Sequence, residues 1–347
     1  MKIIIVARNL KGFKKINNTN EDPIIPESST TQTQVDTYGR VNLDDALAIK
    51  KILDKFGHEV KILQIDIDLF EQLKIEKPDL IFNLADDGFY DDPRLEPHVA
   101  ALFDILKIPY TGNNYFTLAL CQNKARAKEI LTYNGILTPK WQVFNNCNRK
   151  LNPTLRFPLI VKPIREDGSV GIKERSVVKN EEELKEQISH ILDVYQQEAL
   201  VEEFIDGREF NIGIIGNKKL TVLPIAEIDF SELPPNIPRV VSYRAKWVKQ
   251  SIVFKKTPVI CPANISDKLQ KDLEEISKKC YKIFGCQGYA RLDVRYDEKE
   301  DKIYVLELNP NPDISEDGGL AREAKTGGMS YENLILKILD LALKKEF

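Results

Sequence analysis

Apolar positions along the chain switch between two periods. Ile3-Ile4-Ile5-Val6-Ala7 is a continuous apolar run of strand length, which predicts a strand buried on both faces. The polar stretch from Lys11 to Gln34, built around INNTNEDPIIPESSTTQTQ, has no period and predicts a mobile loop. Apolar side chains return at helical spacing from Leu43 to Phe56 and stop at Gly57. Glu59 to Ile65 and Asp79 to Asn83 predict strands, Pro97 to Leu106 a helix, and Ile108-Pro109-Tyr110 a short strand. Strands alternating with helices imply a parallel sheet.

The second half reads differently. Leu118 to Asn134 predicts one helix closed by Gly135, and Pro158 to Pro163 a short apolar strand carrying a single lysine. A helix over Glu181 to Leu192 and a strand over Ala199 to Phe204 follow. Phe210 to Ile215 and Leu220 to Ile228 pair as antiparallel strands across Gly216-Asn217, and the proline-rich Ser231 to Arg239 is a loop. Ser266 to Phe284 is an amphipathic helix. Gly288 to Tyr296 and Lys302 to Leu308 form a hairpin about the turn DEKED, and Tyr331 to Lys344 is a last helix.

Composition narrows the function classes. At 347 residues the chain exceeds one ordinary core. Fifty Lys and Arg against 53 Asp and Glu leave a net charge of -3, without the basic excess of a general nucleic-acid binder. No apolar stretch approaches the roughly 20 residues of a membrane span, and the first strand lacks the cleavage site of a signal peptide. Five cysteines without CxxC spacing read as reduced thiols in a cytoplasmic protein, and three scattered histidines make a zinc site improbable.

Three constellations carry chemistry. In PLIVKP, Lys162 ends a buried strand, where an ammonium is costly unless it meets an anion. The following Asp167-Gly168-Ser169-Val170-Gly171 offers backbone N–H groups that fold over phosphate oxygens. An edge-strand lysine beside a glycine turn is the alternative. In LVEEFIDGREF, the backbone after Glu202 can face an adenine edge and the Glu209 carboxylate can accept ribose hydroxyls; a solvated acidic hairpin is the alternative. In Tyr289-Ala-Arg291-Leu-Asp293-Val and Val305-Leu-Glu307-Leu-Asn309-Pro, alternation puts Arg291 with Asp293 and Glu307 with Asn309 on one face. Two carboxylates and an amide oxygen suit Mg²⁺ completed by phosphates, with Arg291 placed to stabilise a transferring phosphoryl group. A cross-strand salt bridge is the alternative here, disfavoured by the apolar Leu292, Val294, Leu306 and Leu308 between them.

In this order, and together with DLIFNL, IPYTG, Gln122-Asn123-Lys124 and Tyr243-Arg-Ala-Lys246-Trp247, these segments resemble the ATP-grasp superfamily and within it the D-alanine–D-alanine ligases, from about Pro78 onward. The resemblance implies an α/β, three-domain ATP-grasp fold, with residues 1–114 a parallel-sheet domain, 115–198 a central subdomain, and 199–347 a C-terminal subdomain holding the metal. It implies ATP and Mg²⁺ (or Mn²⁺) as cofactors, small-molecule carboxylate and amine substrates, and a homodimer. It assigns Lys124 and Lys162 to ATP phosphates, with Ser169 in the phosphate loop. Glu202, Glu203, Phe204 and Ile205 become the adenine hinge, and Glu209 the ribose acceptor. Lys246 becomes a phosphate-contacting lysine on a lid, Arg291 the arginine that steadies the phosphorylated intermediate, and Asp293, Glu307 and Asn309 the metal ligands. The implied activity is ADP-forming ligation of a carboxylate to an amine through an acyl phosphate.

The amino-acid site departs from that family. Arg8-Asn9-Leu10-Lys11-Gly12 replaces a Gly-rich Ser/Glu segment, and Asp86 or Asp87 stands where a histidine is expected. Gly168 replaces the first serine of the phosphate loop, and Trp247 a tyrosine after the lid lysine. Asp313, Glu316 and Asp317 enter the turn that would take an acceptor carboxylate. These acids repel a carboxylate and welcome an amine, which points to an acceptor other than a free D-amino acid. A true D-alanine–D-alanine ligase and a degenerate, non-catalytic ATP-binding protein are the competing readings.

Overall fold

The computed structural model describes residues 1–8 and 32–345, with side chains described from residue 43 onward in the second segment. Most of the expected loop from Lys11 to Gln34 lies outside the described residues; its last three positions belong to a helix.

The first layer is β1 (Lys2–Ala7), α1 (Gln32–Lys55), β2 (Glu59–Gln64), α2 (Leu69–Glu76), β3 (Leu80–Leu84) and α3 (Glu96–Leu106). Its sheet is parallel, in the order β2-β1-β3. The apolar run at the N-terminus is explained by helices on both faces. Ile3 and Ile5 pack with Ala46, Ile49 and Leu53 of α1, while Ile4 and Val6 pack with Leu69, Leu73, Val99 and Phe103 of α2 and α3. Helix α2 was not legible in the sequence, because Leu69 and Leu73 are its only buried residues. The expected strand at Ile108–Tyr110 reduces to one parallel bridge, Ile81 to Tyr110.

The expected helix Leu118–Asn134 is two helices, α4 (Tyr115–Gln122) and α5 (Lys124–Tyr133). Asn123 breaks it: its φ and ψ of -86° and 93° are extended, and its side chain accepts from the Arg126 N–H at 3.2 Å as an N-cap. Lys124 therefore opens a helix, and its N–H donates to the Ile164 carbonyl at 3.1 Å.

The middle sheet is antiparallel. It holds β4 (Trp141–Phe144), β5 (Leu159–Pro163), β6 (Val177–Val178) and β7 (Ala199–Glu203) in the order β4-β7-β5-β6, backed by α6 (Glu181–Tyr195). Leu159, Val161, Ala199 and Val201 face α6. Period-two alternation turns Lys162 and Glu202 to the opposite face.

The last sheet contains β8 (Arg208–Ile215), β9 (Thr221–Val222), β10 (Ala226–Ile228), β11 (Val259–Ile260), β12 (Tyr289–Asp297) and β13 (Lys302–Asn309). Its order is β11-β10-β8-β12-β13, with β9 also on β8. The single strand expected over Leu220–Ile228 is divided into β9 and β10 around Pro224, which has no N–H to give the ladder. The short helices α7 (Tyr243–Trp247) and α8 (Ile252–Lys255) precede β11. Phe210, Ile212, Ile214, Leu292 and Val294 bury one face of the sheet against Leu269, Leu273 and Cys280 of α9 (Asp267–Ile283). Two helices close the chain, α10 (Gly319–Thr326) and α11 (Tyr331–Leu343), and α11 returns to pack on the first sheet through Leu334, Ile335 and Ile338.

One asparagine ties the first layer to the last sheet. Asn113 donates from Nδ2 to the Tyr289 carbonyl at 2.8 Å, accepts from the Gln287 N–H at 2.7 Å, and donates its own N–H to Asn311 Oδ1 at 2.9 Å. This fixes the turn after β13 against the N-terminal layer. None of the five cysteines is paired, and no helix among the described residues is long and apolar enough to cross a membrane.

Candidate active site

Alternation on three adjacent strands builds one polar face. The cross-strand pairs are Gly213 with Arg291, Asn211 with Asp293 and Glu209 with Arg295 between β8 and β12, then Arg291 with Asn309 and Asp293 with Glu307 between β12 and β13. The expected grouping of Arg291, Asp293, Glu307 and Asn309 is thus present. Asp293 sits at its centre. It accepts two bonds from Arg291, Nε to Oδ1 at 2.7 Å and a guanidinium NH2 to Oδ2 at 2.8 Å. It accepts two more from Asn211 Nδ2 at 2.7 Å and Asn309 Nδ2 at 3.0 Å. Glu307 pairs with Lys124 at 3.0 Å. Burial alone would raise the Glu307 pKa, but Lys124 and Lys162 hold it well below the ordinary carboxylate range. Burial likewise opposes the charge on Arg291, and Asp293 more than restores it.

The donor set suits a hard divalent cation. Among the described residues no cluster of three or more His, Cys, Asp or Glu side chains is arranged to hold a metal alone. Two carboxylates and one amide leave most of an octahedral shell to other oxygens, as Mg²⁺ on a polyphosphate requires.

The residues expected on the nucleotide side group on the middle sheet. Lys162 Nζ lies 2.7 Å from Glu202 Oε2, and Lys128 Nζ lies 2.8 Å from Glu202 Oε1. Burial would raise Glu202, and the two lysines lower it, so it stays ionised. Beyond it the backbone of the expected hinge is held by β-type bonds, from the Glu203 N–H to the Lys140 carbonyl at 2.9 Å and from the Phe204 N–H to the Pro158 carbonyl at 3.0 Å. Arg295 clasps the far side: it donates to the carbonyls of Gly207 at 2.9 Å and Ile205 at 3.3 Å, pairs with Glu209 at 2.6 Å, and stacks over Phe204 and Phe230. Glu209 is buried, and burial raises its pKa against the pull of Arg295.

The loop at 168–172 and α7 lock together. Gly168, Ser169 and Gly171 all have positive φ, 55°, 65° and 76°. At Gly171 a Cβ would fall 2.5 Å from the Pro163 ring, so glycine is required there. Trp247 Nε1 donates to the Gly168 carbonyl at 2.9 Å, the Tyr243 N–H to the Ile172 carbonyl at 3.0 Å, and Ser242 Oγ to Glu174 Oε1 at 2.9 Å. Lys246 on α7 stands over the Trp247 ring at 5.0 Å, and burial lowers its pKa.

Between these parts and the first layer lies a cavity of about 630 Å³. Of the expected site residues, Lys246, Arg291 and Asn309 line it. Ser169 does not, although its neighbours Gly168 and Val170 do. Nine acidic residues line the cavity against four basic ones, so its field is negative. Arg8, buried at the end of β1, pairs with Asp91 at 2.9 Å and Asp87 at 3.3 Å. Burial and then its acidic neighbours push Asp86 and Glu96 up, Asp45 to about 7, and Asp87 to about 6 despite Arg8. Of the three acids expected to change the acceptor turn, Asp313 lines the cavity and Glu316 and Asp317 do not. Asp313 also accepts from the Ser315 N–H at 2.8 Å, shaping the turn.

Lys128, Asn211, Arg295 and Glu323 escaped the sequence reading. Asn211 and Arg295 were within reach, since each stands two residues from a residue already assigned, Glu209 or Asp293, on the same strand face. Lys128 and Glu323 were not, because a lysine or glutamate on a helix gives no sign of being buried.

The fold and this site together define an ATP-grasp architecture. Over 99% of this chain and 98% of the other, it superposes on the D-alanine–D-alanine ligase of Bacillus anthracis solved with ATP, with a TM-score of 0.72 at 22% identity. Residues 129–340 match the family model of the D-ala D-ala ligase C-terminus. The D-alanine–D-alanine ligase of Aquifex aeolicus is 35% identical over 86% of this chain and 94% of its own length, and that of Carboxydothermus hydrogenoformans 33% over 88% and 94%. A protein of Sinorhizobium fredii described only as uncharacterised is 32% identical over 85% of this chain and 86% of its own. The chain belongs to the D-alanine–D-alanine ligase family.

Proposed function

We propose that this chain is an ATP- and magnesium-dependent ligase that joins a carboxylate to an amine through an acyl phosphate, with an acceptor site altered from that of D-alanine–D-alanine ligation. The observation that carries the reading is the polar face on β8, β12 and β13, where Asp293 and Glu307 stand as a cross-strand pair beside Asn309 and Arg291. Bound Mg²⁺ would offset charge on the ATP phosphates. Asp293, Glu307 and Asn309 would hold it there, with Mn²⁺ an acceptable substitute. Lys124, Lys162 and Lys246 take phosphate oxygens, helped by the backbone around Ser169. Glu202, Glu203, Phe204 and Ile205 form the adenine hinge, and Glu209 accepts from the ribose. Arg291 stabilises the transferring phosphoryl group as the carboxylate attacks it, and an amine then displaces phosphate from the acyl carbon. No protein nucleophile is needed; positioning and charge do the work.

The acceptor reading rests on the negative cavity. Asp87, Asp91, Asp167 and Asp313 line the volume that Arg291 and Asn309 also line. A carboxylate-bearing acceptor meets repulsion there, whereas a cationic amine does not. ADP release is measured with Mg-ATP and pairs of carboxylates and amines of both hands, D-alanine included. Release that depends on both partners, with a cationic amine favoured over D-alanine, is the expected result. Efficient D-alanyl-D-alanine synthesis would overturn the altered acceptor site alone. ATP turnover with no dependence on any carboxylate and amine would overturn ligation itself.

A further inference from the structure

Lys128 is 1% exposed, four residues after Lys124 on α5. Its ammonium meets Glu202 Oε1 at 2.8 Å and Thr138 Oγ1 at 2.6 Å. A buried ammonium is costly, and an apolar side chain at this position would pack with less penalty. Its presence therefore calls for an electrostatic reason. Glu202 supplies one. With Lys162 alone, the Glu202 carboxylate would form a neutral pair at 2.7 Å, and the lysine expected to face the nucleotide would present little net charge. With Lys128 on its other oxygen, the triad carries a net charge of +1. Burial lowers the Lys128 pKa, while Glu202 opposes that shift. The two lysines in turn lower the Glu202 pKa, so the carboxylate between them stays ionised.

We propose that Lys128 is a positioning residue that neutralises Glu202 from behind and so leaves the charge of Lys162 available to nucleotide phosphates. The inference rests on the nucleotide-site reading above. It makes a charge-count prediction that simple structural support does not: removing Lys128 should weaken phosphate binding, and removing Lys128 and Glu202 together should restore the net +1 and the preference for a phosphate-bearing ligand.

Binding of the non-hydrolysable ATP analogue AMPPNP with Mg²⁺, and of adenosine, is measured by titration calorimetry on the full chain, with thermal melting to check folding. For Lys128→Met, AMPPNP affinity is expected to fall roughly tenfold or more, from the loss of one weakly screened charge, with adenosine affinity changed less than about threefold. For Lys128→Met/Glu202→Gln, the ratio of AMPPNP to adenosine affinity should return to within about threefold of that of the unaltered chain, the ratio cancelling any loss that Glu202→Gln causes at the hinge itself. An unchanged AMPPNP affinity in the single variant, an equal loss for adenosine, or a ratio in the double variant as low as in the single would each overturn the proposal. If Lys128→Met does not fold, the double variant decides alone, and a roughly tenfold drop in that ratio overturns it. An unaltered chain that binds no AMPPNP overturns the nucleotide-site reading and this inference with it.

Discussion

Glu323 shows how one side chain can set the pH response of the region behind the site. It is fully buried on α10, accepts from the Gly213 N–H at 2.6 Å through Oε2, and has no hydrogen-bond partner at Oε1 among the described residues. Burial pushes its pKa up to about 8, against the pull of Arg291. The folded chain therefore keeps this proton while the unfolded chain releases it near the ordinary glutamate value. Stability is lost as pH rises from about 4.5 to about 8, by on the order of a few kcal/mol. Glu323→Gln keeps the acceptor for Gly213 and removes the titration. Its melting temperature relative to the unaltered chain should be similar near pH 5 and should climb progressively toward pH 8.5. An offset that is flat across this range would show that Glu323 is not buried as a neutral acid.

At the scale of elements, the clasp between α7 and the loop at 168–172 covers the cavity from one side. Trp247→Phe removes the bond to the Gly168 carbonyl while keeping most of the ring. A net loss of about 1 kcal/mol is expected, read as roughly fivefold faster amide exchange over residues 243–248. Unchanged exchange would mean that the Trp247 bond does not hold α7 to the loop. The strands that carry this chemistry were the legible part of the sequence. Alternation alone placed Arg291, Asp293, Glu307 and Asn309 together, because a strand's period of two leaves no choice of face. The helices were less legible. Asn123 looked like a helix interior residue and is an N-cap, and α2 hides behind two buried leucines. Sequence spacing also could not show which of Asp313, Glu316 and Asp317 would face the cavity, since a turn has no fixed period. Nor could it join Lys128 to Glu202, which are 74 residues apart and meet only when α5 docks against β7.

The whole molecule is arranged around the meeting of three sheets. The first layer supplies Arg8, Asp86, Asp87 and Glu96 to the cavity, the middle sheet brings Lys162 and Glu202, and the last sheet brings the carboxylates that face them. Asn113 and α11 bind the first layer to the last sheet, so the cavity's acidic wall and Arg291 keep a fixed relation. The nucleotide and catalytic roles proposed for these parts depend on a divalent cation held between β12 and β13 when nucleotide is bound. Electron paramagnetic resonance of Mn²⁺ titrated with ADP tests this most directly, comparing the unaltered chain with Asp293→Asn and Glu307→Gln. Nucleotide-dependent Mn²⁺ binding in the unaltered chain, weakened roughly tenfold or more in each variant through loss of a charged ligand, is the result the structure leads us to expect. Mn²⁺ binding of equal strength in all three proteins, or none in the unaltered chain with ADP present, would contradict it.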